Sequence, residues 1–174
     1  QNVNYDKKIK KNNSFLYVGR ANDPIKRFNL VRESLSKIKD GDKNILVCGV
    51  ENPNFGNYMG HVSNEKLNIL YNEAKFLFLP SKAEGIGLSM IEALICGTIP
   101  IVCSDNETAK EFLPQEFMCE ANPESIVQYI DKMNKNYEEY RESALKLGKK
   151  YKEQFDKINV AKNILSLKKW FMFH

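Results

Sequence analysis

The chain has 174 residues, 43% of them hydrophobic and 28% charged, enough for one soluble domain with a sizeable core. Its net charge of +4 comes from lysines scattered among acids, without the basic stripe and interleaved aromatics of a nucleic-acid binder. No apolar run approaches the roughly 20 residues that span a bilayer, and the polar, lysine-rich residues 1–13 are no signal peptide.

Residues 14–19 (SFLYVG) read as a buried strand ending in Gly19-Arg20. Asp23-Pro24 supplies an N-cap and a first-turn proline, predicting a helix with Phe28, Val31, Leu35 and Ile38 inward and Lys26 in its first turn. A second strand is predicted at 45–50, a loop at 51–57 and a short strand at 58–62. Ser63 or Asn64 then caps a helix with Leu67, Leu70, Tyr71 and Ala74 on its inner face.

Phe76 to Leu79 is a continuous apolar strand stopped by Pro80. After a glycine-rich turn and a helix comes the strand 99–103. A short helix near 106–113, a weak strand at 117–119 and helices after Pro123 complete the order. Strands that are apolar throughout and alternate with helices predict an α/β fold, a doubly wound Rossmann-like parallel sheet with helices on both faces. Ligands of such sheets bind at the carboxyl ends of the strands.

Two post-strand segments carry chemistry. Arg20, Lys26 and Arg27 bring three cations to one strand end, and a cation in a helix's first turn opposes the helix dipole. An anionic ligand would explain that choice where local stability does not. The second segment is Pro80 to Glu92 (PSKAEGIGLSMIE). Ser81-x-x-Glu84 matches a capping box. A helix begun there would carry Gly85 and Gly87 early, each costing about 1 kcal/mol against alanine.

The helix is therefore expected to start after Gly87, with Glu84 on the turn and its first N–H groups forming an anion site suited to a phosphate. Glu92 lies one turn in, its side chain leaning back toward that end. Two carboxylates beside a phosphate site are suited to sugar hydroxyls, which donate to them. The combination describes a nucleotide-sugar.

These residues resemble the C-terminal domain of GT-B-fold retaining glycosyltransferases of the family 4 (group 1) type, over about residues 14–135. The E-x7-E stretch from Glu84 to Glu92 is the most specific part, supported by Gly19-Arg20 with Lys26 and by Gly60-His61-Val62 ahead of Leu70-Tyr71-x-x-Ala74. The resemblance implies that Arg20 and Lys26 hold the donor diphosphate and stabilise the leaving group, and that Glu84 meets the transferred sugar. It implies further that Gly19, Gly85, Ile86, Gly87, Leu88 and Ser89 line the donor site, that Glu92 takes the ribose hydroxyls, and that backbone around His61 and Val62 meets the base. No metal or cofactor is expected, and the anomeric configuration would be retained. Ile86 stands where the family has an aromatic, and Glu107 and Thr108 stand where it often has two glycines.

The expected organisation is a polar lead-in or linker at 1–13, the nucleotide-sugar-binding domain at 14–155 and a C-terminal helix at 156–174. A chain that begins at Gln1 is read as a piece of a longer protein whose N-terminal acceptor domain faces this one. The expected partners are a nucleotide-sugar donor and an unspecified glycan, lipid or protein acceptor, with no nucleic acid. Leu167 to Phe173 (LKKWFMF) has two readings: a face packed in the parent protein, as the family implies, or a peripheral membrane anchor. Cys48, Cys96, Cys103 and Cys119 lack metal-ligand spacing and are expected as buried free thiols of a reducing, cytoplasmic compartment. Two other readings share the site: a non-catalytic sugar-nucleotide-binding or scaffolding module, and a GT-B-fold epimerase.

Overall fold

A strand that is apolar on both faces must be covered on both, so such strands pair in parallel beneath helices. The computed structural model describes residues 3–84 and 87–173, the side chains of Asn13 and of 156–173 excepted. Within it β1 (Asn12–Val18), β2 (Ile45–Cys48), β3 (Asn57–Gly60), β4 (Ala74–Leu79), β5 (Ile99–Cys103) and β6 (Met118–Cys119) form one sheet. The order is β3-β2-β1-β4-β5-β6 and every pair is parallel, the Rossmann-like arrangement expected. Strand order reverses between β1 and β4, in register at Phe15 with Phe76 and Leu16 with Leu77. Tyr17, Phe76, Phe78 and Leu77 at this centre are fully buried.

Helices α1 (Phe28–Leu35), α2 (Asn64–Glu73), α3 (Leu88–Ile95), α4 (Glu107–Phe112) and α5 (Pro123–Lys135) alternate with the strands, and α6 (Tyr137–Phe173) follows. Local chemistry sets several starts. Ser63 accepts from the Lys66 N–H, Asn106 from Ala109 and Asn122 from Ser125, each giving a helix's orphan donor a partner. Ala74, expected on the inner face of α2, instead opens β4 directly, and Ile38 lies past the end of α1.

A larger expectation fails as well. Asp23-Pro24 starts only a 3-10 turn, Pro24–Lys26, and Arg27 in the left-handed region (φ 51°) separates it from α1. Lys26 is thus the last residue of a short turn, outside α1, so the dipole argument made for it from sequence does not apply. The four cysteines are free and buried. Among the described residues no helix is long and apolar enough to cross a membrane.

Ahead of β1 the chain packs on α2. The Asn4 N–H donates to Asn68 Oδ1 at 3.0 Å and the Asp6 N–H to Asn72 Oδ1 at 2.9 Å. Lys11 is half-buried there, donating to the Tyr71 carbonyl at 2.7 Å and to Thr98 Oγ1 at 2.6 Å. Those acceptors match the two donors of a neutral amine, and burial, helped by Arg141 and opposed by Cys96, lowers its pKa from 10.5 to about 7. A lysine depressed on folding binds fewer protons folded than unfolded between those values, so stability should rise with pH across that window. Thiols act with the opposite sign from about pH 9 upward, since burial pushes Cys96 from 9.0 up to about 12. Urea midpoints at pH 6.5 and 8.5 should therefore differ in favour of pH 8.5, by about 1–2 kcal/mol of stability. A flat profile, or one that Lys11→Met leaves unchanged, would refute the assignment.

Candidate functional site

Three loops leave the carboxyl ends of β1, β4 and β5, where strand order reverses. Gly19 follows β1 with φ 155°, its N–H bonded to the Cys48 carbonyl at 3.0 Å. Arg20 follows, 68% exposed, donating to Asp23 Oδ2 at 2.8 Å, while Asp23 Oδ1 caps the 3-10 turn. From the end of that turn Lys26 donates to both oxygens of Glu84 at 2.7 Å. Both side chains are about one-fifth exposed, so the pair is partly shielded from water.

The Arg27 guanidinium grips Asp105 with two bonds of 2.9 and 2.6 Å, which raises the arginine's pKa and holds the Asp105 carboxyl below its ordinary value. The same contact helps offset the cost of a non-glycine residue at positive φ, of order 1–3 kcal/mol. Further bonds lace the loops together. The Lys82 N–H donates to the Ile25 carbonyl (2.9 Å), Asn106 Nδ2 to the Ser81 carbonyl (3.1 Å) and the Thr108 hydroxyl to the Glu84 carbonyl (2.9 Å). Among the described residues no helix starts at Ser81, and α3 starts after Gly87 as expected.

Gly87 precedes α3 in the left-handed conformation (φ 64°), which glycine adopts without a Cβ penalty. No side chain caps this helix, so its leading N–H groups and the positive end of its dipole are left to the space in front of them. That space is a cavity of about 260 Å³. Val18, Leu79 and Val102, at the ends of β1, β4 and β5, line it below. Lys26, Glu84 and Gly87 to Met90 line one side, and Asn106, Thr108 and Ala109 the other.

Of the residues singled out from sequence, the cavity brings together Lys26, Glu84, Gly87, Leu88 and Ser89. Gly85 and Ile86 lie outside the described residues, as do the side chains of 167–173. Arg20 is turned to Asp23 and solvent. His61 is exposed and Val62 half-buried beyond the end of β3. Glu92 does not line the cavity. It is 8% exposed, with the Tyr71 hydroxyl donating to Oε2 at 3.1 Å. Burial raises the Glu92 pKa, and the Tyr71 hydrogen bond opposes the rise.

The wall from Asn106 to Ala109 was not among the residues singled out, because nothing local to that stretch marks it. Its only signal was the pair Glu107 and Thr108. Glu107 turns outward to Lys110 at 2.6 Å, so the extra negative charge leaves the cavity, and Thr108 alone faces it. Arg27 and Asp105 were likewise invisible as a pair, 78 positions apart in sequence.

The sequence profile described as "Glycosyl transferases group 1" matches residues 4–154. The chain is similar to the O-antigen chain mannosyltransferase B of Escherichia coli, with 46% identity over 48 residues, 28% of this chain and 12% of that protein. Among solved structures it is similar to Anabaena Alr3699/HepE in complex with UDP and glucose (TM-score 0.74, 13% identity, 91% of this chain and 48% of that one). It also resembles the catalytic domain of cholesterol-alpha-glucosyltransferase from Helicobacter pylori (TM-score 0.65, 16% identity, 80% of this chain and 99% of that one). The chain thus spans about half of HepE and a small part of the mannosyltransferase. At such identities the structural likeness establishes the fold, and the profile match over 4–154 establishes the family: the chain belongs to the group 1 glycosyl transferases, on a GT-B Rossmann-like domain.

Proposed function

We propose that the chain is the donor-binding half of a retaining hexosyltransferase, taking a nucleoside diphosphate sugar and serving an acceptor held on a facing N-terminal domain. The observation that carries the reading is the Lys26–Glu84 pair set against the uncapped start of α3 in one cavity. Cation and N–H groups suit a diphosphate, and a carboxylate beside them suits sugar hydroxyls. At about 260 Å³ the cavity lies just under the roughly 300–1,000 Å³ of drug-sized sites, a size for one sugar with its phosphate.

In this reading the incoming β-phosphate takes Lys26 from Glu84, and the freed carboxylate turns to the sugar. As the glycosidic bond to the leaving phosphate breaks, charge grows on the phosphate oxygens. Lys26 and the α3 N–H groups offset that charge, and Arg20 joins them after leaving Asp23. No metal is required for this stabilisation. Retention of configuration, the acceptor and any peripheral association of the parent with a membrane rest on the resemblance to the family.

Calorimetric titration with UDP, GDP and ADP and their common sugar conjugates tests the proposal. One nucleotide should bind in preference, and Arg20→Ala should weaken it. If neither this chain nor its full-length parent binds any of them, the reading fails.

A further inference from the structure

Tyr71 lies on the inner face of α2, fully buried among core side chains, and the catalytic scheme above makes no use of it. A buried phenol needs a hydrogen-bond partner, and this one spends its proton on Glu92 Oε2, 3.1 Å away on α3. Ser89, one turn ahead of Glu92 on α3, lines the cavity. Phenol and carboxylate thus join α2 to α3 one turn behind the cavity wall. Among the described residues Glu92 Oε1 has no hydrogen bond, so one carboxylate oxygen is fixed from behind and the other is available.

That arrangement decides two properties of Glu92. The bond fixes the carboxylate's rotation, because one oxygen is tied to a rigid core side chain. It also favours the ionised form, since the phenol donates and only an ionised carboxylate accepts with both oxygens. Burial acts the other way on the same group. A protonated Glu92 would offer a ribose diol a donor where an acceptor is wanted.

We propose that Tyr71 is a positioning residue, whose phenol holds Glu92 oriented so that the chain selects ribonucleotides over 2′-deoxyribonucleotides through a side chain that touches no ligand. The inference rests on the reading of Glu92 as the ribose ligand. Phenylalanine at 71 keeps the ring and its packing and removes only the hydroxyl, so ring packing is separated from hydrogen bonding.

The experiment is titration of the wild type, Y71F, E92Q and the double variant with UDP and 2′-deoxy-UDP, and with GDP and 2′-deoxy-GDP in parallel, from pH 6 to 9. The wild type should favour the ribonucleotide by roughly tenfold, the worth of a hydrogen bond to a charged group. Y71F should lose most of that preference, because the Glu92 carboxylate is no longer tied in one orientation. E92Q should lose it at every pH, and adding Y71F to E92Q should change nothing more.

If Y71F keeps the wild-type preference throughout while E92Q loses it, Tyr71 is structural and the inference is wrong. If E92Q keeps the preference, or none of the nucleotides binds, the ribose role of Glu92 falls and takes this inference with it. Should Y71F not fold, the Tyr71 hydroxyl proton can be followed by NMR in the wild type. Its persistence in the UDP complex supports the role, and its loss on binding overturns it.

Discussion

Alanine at Lys26 should weaken binding of a nucleoside diphosphate by about 10- to 100-fold, the usual worth of one or two hydrogen bonds to a charged group. Lys26 is the cation that the cavity holds in place, whereas Arg20 must first leave Asp23 and come in from solvent. Glutamine at Glu84 should act in the opposite direction. In the unliganded protein both Glu84 oxygens occupy the ammonium at 2.7 Å, so a phosphate has to displace a charged competitor. A neutral amide competes less well, and affinity for UDP or GDP without sugar should rise by a few-fold. The gain should shrink or reverse for the sugar conjugates, because the group proposed to accept from the sugar hydroxyls is also weakened. Calorimetry on both variants with a matched nucleotide and nucleotide-sugar reads out both effects. If Glu84→Gln binds the bare diphosphate more weakly than the wild type, the two side chains do not compete as described.

The largest stability loss is expected at Gly148, far from the cavity. It lies in α6 where that helix crosses α3, and a Cβ built there would stand 2.4 Å from Ile95 N and Leu94 C. Those atoms are backbone and cannot turn aside, so the two helices would have to separate. Helix propensity alone would favour alanine over glycine by roughly 1 kcal/mol, which makes the sign of the result diagnostic. Overpacking should prevail, at about 3 kcal/mol for Gly148→Val. In a chain of this size that lowers Tm by roughly 6–12 °C, and thermal unfolding followed by circular dichroism measures it. A valine variant as stable as the wild type would mean that α6 does not pack on α3 in solution. The neighbouring Gly97, at φ 66°, faces the Leu145 side chain of α6, 3.0 Å from where a Cβ would stand, a milder contact that a side chain can partly relieve.

How far the sequence reaches differs from one element to the next. The strand Ile99–Cys103 and the start of α3 were legible to the residue, because an uninterrupted apolar run and a Gly-x-Gly turn are local signals. Ser63, one of two candidate caps with Asn64, and Pro123 marked their helix starts for the same reason. The 3-10 turn at Pro24–Lys26 was not legible. Asp-Pro announces a helix, and the interruption comes from an arginine at positive φ where only glycine would have left a mark. Its stabilising partner, Asp105, is reached only once β5 has been laid two places from β1.

The candidate site divides in the same way. Lys26, Glu84 and the glycine-rich turn could be named because each follows a recognisable strand, and a parallel sheet gathers strand ends on one side. What those groups do to one another came from the tertiary structure: that Lys26 and Glu84 occupy each other, that Arg20 turns to Asp23, that Tyr71 backs Glu92, and that Thr108 closes the third wall while Glu107 turns away. Chain order and local propensity determined which chemical groups reach the carboxyl edge of the sheet. Strand order and loop packing decided the distant partners, because a hydrogen bond or an ion pair depends on distances of a few ångströms, and for Lys26–Glu84, Arg27–Asp105, Tyr71–Glu92 and Thr108–Glu84 the residues lie 21 to 78 positions apart, where no local pattern encodes those distances.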